Sequence, residues 1–165
     1  MGKKVLIIDD DPALLAQMGE AFRKNNFDVF LARDGQAGIE MFESIQPDLV
    51  ITDIVMPAKE GVSVIIDIKK SGSDVLLIAM SGGGARGCKN YLRWAKELGA
   101  NVAIEKPFRM STFLMIAKQL ISEADYMKHD QSGDHFSLTY VNSKLSSVSE
   151  DMNISNSYDH QHFTK

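Results

Sequence analysis

The sequence is poor in the residues from which disulfides and zinc centres are built. Its single cysteine, Cys88, cannot form a disulfide within the chain, so nothing indicates an oxidising compartment and we expect a cytoplasmic protein. The four histidines all lie in the polar C-terminal stretch: His129, His135, His160 and His162. Neither a zinc centre nor an internal phosphohistidine is therefore expected earlier in the chain.

Positive charge and long apolar stretches are also scarce. The formal net charge is −4 at pH 7 and the isoelectric point is near 5.5, so no chain-wide basic field favours nucleic acid as a partner. The first apolar run follows Lys3 and Lys4 and ends at Asp9, which is too short for a signal peptide or a membrane span. We therefore expect a soluble protein with neither a nucleic-acid nor a membrane partner.

The sequence does contain a regular alternation of short apolar runs with segments of helical period. With 165 residues, of which 44% are hydrophobic, the chain suits one compact domain. The apolar runs predict five strands, over residues 5–8, 29–31, 49–51, 75–79 and 102–104. Their alternation with helices predicts an α/β fold in which helices cover both faces of a parallel sheet.

Each predicted strand is followed by an amphipathic helix. Asp11 and Pro12 indicate the N-cap and first turn of helix one, and Gly72 and Gly99 indicate the ends of helices three and four. The apolar faces of the five helices are formed by Leu14, Leu15, Met18 and Phe22; Ala37, Met41, Phe42 and Ile45; Val64, Ile65 and Ile68; Tyr91, Leu92, Ala95 and Leu98; and Phe113, Leu114, Ile116, Ala117, Leu120 and Ile121.

The composition changes after the fifth helix, which is predicted to end near Asp125. Residues 126–165 are rich in serine, asparagine, aspartate and histidine, and such a segment buries too little apolar surface to offset the entropy of ordering. We therefore expect one domain over residues 1–125 and a flexible polar tail over residues 126–165. One short strand in the tail is an open alternative, because Phe136, Leu138 and Tyr140 alternate with polar residues.

The polar residues with chemical potential fall at the carboxyl ends of the predicted strands: Asp9, Asp10, Asp53, Ser81 and Lys106. Ligands of open α/β sheets bind at that edge, so these side chains are expected to converge. Three carboxylates within about 4 Å would repel one another by roughly 4 kcal/mol per pair at an effective dielectric of about 20. A divalent cation is therefore expected, and oxygen ligands favour Mg²⁺ over zinc.

With the metal in place, one carboxylate is suited to act as a nucleophile towards a phosphoryl group. Asp53 is the preferred candidate because it stands alone at the central strand, whereas Asp9 and Asp10 are adjacent and suited to hold a metal. Lys106 and the hydroxyl of Ser81 would contact the phosphoryl oxygens. Taken alone, Ser81 and the glycines after it are equally well explained as a turn.

The segments IIDDDP, ITDIVMP, MSGG and IEKPF, in this order, resemble the receiver domain of response regulators, the CheY-like phosphoacceptors, over residues 3–125. The resemblance implies a flavodoxin-like, doubly wound sheet with the strand order 2-1-3-4-5, which is the order known for CheY itself. It also implies a cis peptide bond between Lys106 and Pro107.

The same resemblance implies a role for each site residue. Asp53 matches the phosphorylated aspartate, Asp10 a direct magnesium ligand, Asp9 a ligand that acts through water, and the backbone carbonyl of Val55 the remaining protein ligand. Ser81 and Lys106 match the hydroxyl and lysine positions of the family.

The resemblance further implies the partners. A histidine kinase or histidine phosphotransfer protein would donate the phosphoryl group at helix one and the loop after Lys106, and a downstream protein would dock on helix four, strand five and helix five. One departure concerns the switch: Ala103 stands where relatives commonly carry an aromatic residue, and we expect the glycine-rich loop that follows Ser81 to move instead.

Two other functions remain as alternatives. A pseudo-receiver would act as a constitutive interaction module, but it would lack an acidic or lysine position that this chain retains. A phosphatase on a related sheet would need a second aspartate as general acid two residues after the nucleophile, where this chain has Val55. We therefore do not expect an enzyme that turns over an external substrate.

Overall fold

The computed structural model describes residues 2–56, 61–82 and 88–129 of the chain. Strands and helices alternate strictly in this part: β1 (Lys4–Ile8), α1 (Pro12–Arg23), β2 (Asp28–Ala32), α2 (Gly35–Ile45), β3 (Leu49–Asp53), α3 (Gly61–Lys70), β4 (Leu76–Gly82), α4 (Cys88–Glu97), β5 (Val102–Lys106) and α5 (Met110–His129). All strand pairs are parallel and the sheet order is β2-β1-β3-β4-β5. The predicted flavodoxin-like fold is confirmed.

The sheet separates two apolar layers, as expected for a parallel sheet covered by helices on both faces. One layer joins one side of the strands to α2, α3 and α4, and the other joins the opposite side to α1 and α5. Successive residues of β1 illustrate the division, because Leu6 and Ile8 belong to the first layer whereas Val5 and Ile7 belong to the second. The carboxyl ends of the strands therefore belong to a sheet that is packed against helices on both faces.

The helix boundaries follow the signals in the sequence at several points. The side chain of Asp11 accepts hydrogen bonds from the backbone N–H groups of Ala13 and Leu14, and Pro12 is the first residue of α1. Gly72 and Gly99 have φ angles of 73° and 107°, which glycine adopts without the steric penalty of a β-carbon. The predicted cap and the two predicted helix ends are therefore confirmed.

Several elements extend beyond their predicted limits, and the largest extensions are in β4 and α5. Asp53 and Lys106, predicted to follow β3 and β5, are the last residues of those strands. β4 continues past the apolar run to Gly82, so Ser81 lies inside the strand and not after it. α5 continues to His129, so residues 126–129, predicted as the start of a flexible tail, are helical. The rest of that predicted tail, the alternative strand over residues 136–140, and Gly83 and Gly84 lie outside the described residues.

Membrane-spanning character is absent from the helices that the structure describes. Within those segments, no helix combines the length and the apolar character that crossing a bilayer requires.

Candidate functional site

Four of the predicted site residues are brought together at the carboxyl edge of the sheet. Asp9 directly follows β1, Asp53 ends β3 and Lys106 ends β5. Asp10 completes the group, because one carboxylate oxygen each from Asp9, Asp10 and Asp53 lie within 4.8 Å of one another. The convergence predicted from strand order is therefore present.

This carboxylate cluster fits a divalent cation. Its donors are hard oxygens, which suit Mg²⁺, and the exposed Asp10 leaves the cluster open on the solvent side. Asp9 is fully buried and Asp53 is only 6% exposed, so solvent does little to screen their mutual repulsion. A cation of two charges would neutralise the repulsion, which is the physical basis for expecting a metal here.

Lys106 joins two of these carboxylates. Its Nζ atom lies 2.7 Å from Oδ2 of Asp9 and 2.7 Å from Oδ2 of Asp53. Burial lowers the pKa of Lys106, but the hydrogen bonds and charges of Asp53 and Asp9 outweigh it, so the pKa is raised on balance. The ammonium group therefore remains charged and lies at the centre of the site.

Asp9 is held in a less favourable environment. Burial raises the pKa of its carboxyl group above the ordinary value, although hydrogen bonds from Lys106 and from the backbone N–H of Asp11 oppose that shift. The Asp11 N–H donates to Oδ1 of Asp9 over 2.9 Å. The folded protein thus contains a carboxylate whose ionised form is penalised by its surroundings.

The carboxylate of Asp53 is oriented through both of its oxygens. The backbone N–H of Val55 donates to Oδ1 over 3.2 Å, and Lys106 donates to Oδ2 over 2.7 Å. Val55 itself is 54% exposed, whereas its neighbours Ile54 and Met56 are buried. The Asp53 side chain is therefore fixed in direction before any substrate arrives, as a nucleophile requires.

The remaining predictions concern Ser81 and the bond after Lys106. Ser81 is fully buried near the end of β4, one residue beyond Met80, which pairs with Asp53 across the sheet. Its predicted contact with the phosphoryl group stays a prediction. The peptide bond between Lys106 and Pro107 is cis, as expected.

Two residues near Asp53 were missed by reasoning from the sequence. Thr52 is fully buried in β3, and its hydroxyl donates to the backbone carbonyl of Asp53. Gly61, the first residue of α3, lies so close to the same carbonyl that an added β-carbon would overlap it. The available signal for Thr52 was a polar residue inside an apolar strand, and the signal for Gly61 was a glycine at the start of a helix.

Comparison with known proteins agrees with this geometry. Residues 5–118 match the family model described as the response regulator receiver domain. The chain is 25% identical over 152 residues to "Response regulator MprA" of Mycobacterium ulcerans, an alignment that covers 92% of this chain and 64% of that protein. A relative with the same description from Mycobacterium bovis is 24% identical over 153 residues, an alignment that covers 93% of this chain and again 64% of the relative. The chain thus spans somewhat less than two thirds of these relatives.

Solved structures agree in fold. The receiver domain protein of Methanospirillum hungatei superposes with a TM-score of 0.71 at 23% identity, covering 77% of this chain and 99% of that chain. The Francisella response regulator 1452 receiver domain gives a TM-score of 0.68 at 22% identity, covering 74% and 99% of the two chains. The family match extends over well more than half of the sequence, and the chain belongs to the response regulator receiver domain family.

Proposed function

We propose that Asp53 accepts a phosphoryl group from a phosphohistidine of a histidine kinase or a histidine phosphotransfer protein. The observation that carries the proposal is the contact of one partly buried ammonium group, that of Lys106, with both Asp9 and Asp53 beside an open cluster of carboxylates. This arrangement provides a nucleophile, a fixed positive charge and oxygen ligands for a metal within one small site.

In the transfer step, a carboxylate oxygen of Asp53 forms a bond to phosphorus while the bond between phosphorus and the donor imidazole nitrogen breaks. The electron pair of the broken bond leaves with the imidazole, so no oxidant or reductant is needed. Lys106 moves from its two carboxylates towards one phosphoryl oxygen, and the hydroxyl of Ser81 donates to another. A bound Mg²⁺ would supply charge neutralisation at a third oxygen.

We assign the magnesium ligands to Asp9, Asp10, Asp53 and the backbone carbonyl of Val55. The three carboxylates support this assignment through their mutual separation of at most 4.8 Å. Val55 supports it by its position, because its N–H already contacts the carboxylate of Asp53. Asp10 is the best candidate for direct ligation, since its exposed side chain meets the solvent side of the cluster.

Phosphorylation would change the affinity of a protein-binding face and would not release a chemical product. We place the domain that does this at residues 1–125 together with the end of α5. A downstream protein would dock on α4, β5 and α5, where Trp94 is half exposed. No external substrate is turned over, nucleic acid and membranes are not partners of this domain, and the exchange would take place in the cytoplasm.

The direct test is incubation with acetyl phosphate and MgCl₂ followed by intact-protein mass spectrometry. We expect the native chain to gain one phosphoryl group, and this gain to be absent in Asp53→Asn and in samples that contain EDTA. Asp67→Asn is the matched control, since it removes a carboxylate on α3 outside the cluster. A native chain that gains no phosphoryl group would favour the constitutive interaction module instead.

A further inference from the structure

One buried polar side chain near the site has no role in the transfer step described above. Among the described residues, four polar or charged side chains are buried: Asp9, Thr52, Asp53 and Ser81. Thr52 lies in β3 between Ile8 of β1 and Ala79 of β4, and both of these neighbours belong to an apolar layer. Because a hydroxyl in such a layer is unfavourable unless it is hydrogen-bonded, its partner shows what it does.

That partner is the backbone of the nucleophile. Oγ1 of Thr52 donates to the carbonyl oxygen of Asp53 over 3.0 Å. The N–H of the same peptide unit belongs to Ile54 and donates to the carbonyl of Met80 over 2.8 Å. The peptide unit between residues 53 and 54 is thus held at its oxygen by β3 itself and at its nitrogen by β4.

Gly61, at the start of α3, packs against the same peptide unit and hydrogen-bonds to the next one along the chain. Its N–H donates to the carbonyl of Ile54 over 3.0 Å, and its Cα lies where a β-carbon would overlap the carbonyl of Asp53. Only glycine allows α3 to begin this close to the nucleophile. The first residue of α3 therefore lies directly against the backbone at the end of β3.

The orientation of this peptide unit determines the orientation of the carboxylate. Because a peptide unit is planar, fixing its oxygen and its nitrogen fixes the Cα atoms of Asp53 and Ile54. The hydrogen bond from Gly61 to the Ile54 carbonyl then holds the next peptide unit, which carries the N–H of Val55. Val55 follows directly, and its N–H donates to Oδ1 of Asp53 over 3.2 Å. A rotation of the peptide unit would move this donor and with it the preferred direction of the Asp53 side chain.

We propose that Thr52 is a positioning residue for phosphoryl transfer, which acts through the backbone of Asp53 and is assisted by Gly61. The proposal rests on the proposed function of Asp53. Thr52 does not contact the phosphoryl group; its hydroxyl holds the peptide unit that aims the nucleophile. The chain would fold with an apolar residue at this position, but the carboxylate would be less well directed.

The first test compares Thr52→Val with Thr52→Ser. In acetyl phosphate and MgCl₂, we expect Thr52→Val to lower the maximal rate of phosphorylation about fivefold, the effect of one hydrogen bond. The acetyl phosphate concentration at half-maximal rate should not change, and Thr52→Ser should restore the rate. Urea unfolding should show Thr52→Val to be at least as stable as the native chain, because valine suits the apolar layer.

The second test compares Gly61→Ala with Gly38→Ala. Both substitutions place a methyl group in a tight space, but at residue 38 it meets the side chain of Ile8 and at residue 61 the backbone of Asp53. We expect Gly38→Ala to lower the free energy of unfolding and to keep the native rate of phosphorylation. Gly61→Ala should lower the rate of phosphorylation at least tenfold, on the order expected for a misplaced nucleophile. If Gly61→Ala does not fold, the Thr52 pair decides the question.

A spectroscopic measurement separates positioning from a merely structural role. Hydrogen exchange of the Val55 amide, followed by NMR without phosphodonor, should be faster in Thr52→Val and native-like in Thr52→Ser. If the native chain is phosphorylated and Thr52→Val is phosphorylated at the same rate, the positioning role of Thr52 is overturned and the proposed function of Asp53 is not. A native chain that accepts no phosphoryl group would overturn the proposed function and this inference with it.

Discussion

Asp9 and Asp10 are adjacent carboxylates that the fold treats differently. Asp9 is fully buried, next to Lys106 and Asp53, whereas Asp10 is exposed to solvent. Burial raises the pKa of Asp9, which means that its charge lowers the stability of the folded state when no cation is bound. A site that is ready for metal is therefore a source of instability in the metal-free protein.

We expect Asp9→Asn to raise the free energy of unfolding in metal-free buffer by an amount on the order of 1 kcal/mol, a usual size for one residue. The gain arises because a neutral amide removes the buried charge and its repulsion with Asp53. Urea unfolding at neutral pH in EDTA would measure it. Asp10→Asn is the matched control and should give a smaller gain, since water already solvates that carboxylate.

Added MgCl₂ should reverse the order of stability between the native chain and the same two variants. The native chain should become more stable as MgCl₂ is added, by mass action on the folded state, and both variants should gain less than it does. A destabilised Asp9→Asn in EDTA would show that the hydrogen bond to Lys106 outweighs the burial of the charge, and would contradict the prediction.

The third aspartate of this run belongs to a helix and not to the metal cluster. Asp11 accepts hydrogen bonds at 2.8 Å and 3.2 Å from the N–H groups of Ala13 and Leu14. We expect Asp11→Ala to lower the free energy of unfolding by about 1 kcal/mol, as the loss of an N-cap does. Its magnesium affinity, measured by titration calorimetry, should stay native.

Asp10→Ala is the reciprocal variant for this comparison. It should lose magnesium affinity and keep its stability in EDTA. The two aspartates would be wrongly assigned if Asp11→Ala weakened magnesium binding as strongly as Asp10→Ala.

At the scale of the elements, one aromatic residue is central to the packing of α5. Phe113 is fully buried, and its ring lies 6.3 Å from that of Phe22 in α1 and 4.6 Å from that of Phe108. We expect Phe113→Ala to cost about 3–5 kcal/mol, because it leaves a cavity between α1 and α5. Met115→Ala is the control in the same helix: Met115 is 44% exposed, and thermal unfolding should hardly change.

The elements themselves were largely predictable, and their ends were less so. Apolar periodicity identifies every strand and helix, but it cannot show that β4 continues through Ser81 and Gly82, because neither residue adds to an apolar run although both pair with β5, at Glu105 and Lys106. α5 also extends beyond the predicted limit at Asp125, where it makes a contact that the sequence pattern does not show. The side chain of Lys3 donates to Asp125 over 2.8 Å, a contact between distant parts of the chain.

For the whole molecule, the sequence predicts which residues meet at the site but not the distances between them. Strand order alone explains why Asp9, Asp53 and Lys106 meet, since each ends a strand or follows one. The distances of 2.7 Å from Lys106 to both carboxylates do not follow from that order. Nor does the role of Thr52, because periodicity records where a residue lies and not which backbone atom its side chain contacts.

The response of the whole domain to phosphorylation is constrained by Ala103. Ala103 is 1% exposed in β5, so no aromatic ring can turn at that position to report the state of Asp53. Ser81, in the neighbouring strand, is buried, whereas an added β-carbon at Gly82 would meet no atom within 4 Å. The end of β4 therefore has room to move when Ser81 is drawn to a phosphoryl group.

We expect beryllofluoride with MgCl₂ to change amide hydrogen exchange chiefly in residues 81–90, and much less in β5. The reason is that the mimic attracts the Ser81 hydroxyl and so shifts the backbone that leads to α4, whereas Ala103 has no side chain long enough to relay the change. Hydrogen-exchange mass spectrometry measures both regions in one experiment, with Asp53→Asn as the control that should not respond. Unaltered exchange over residues 81–90 in the native chain would place the switch elsewhere.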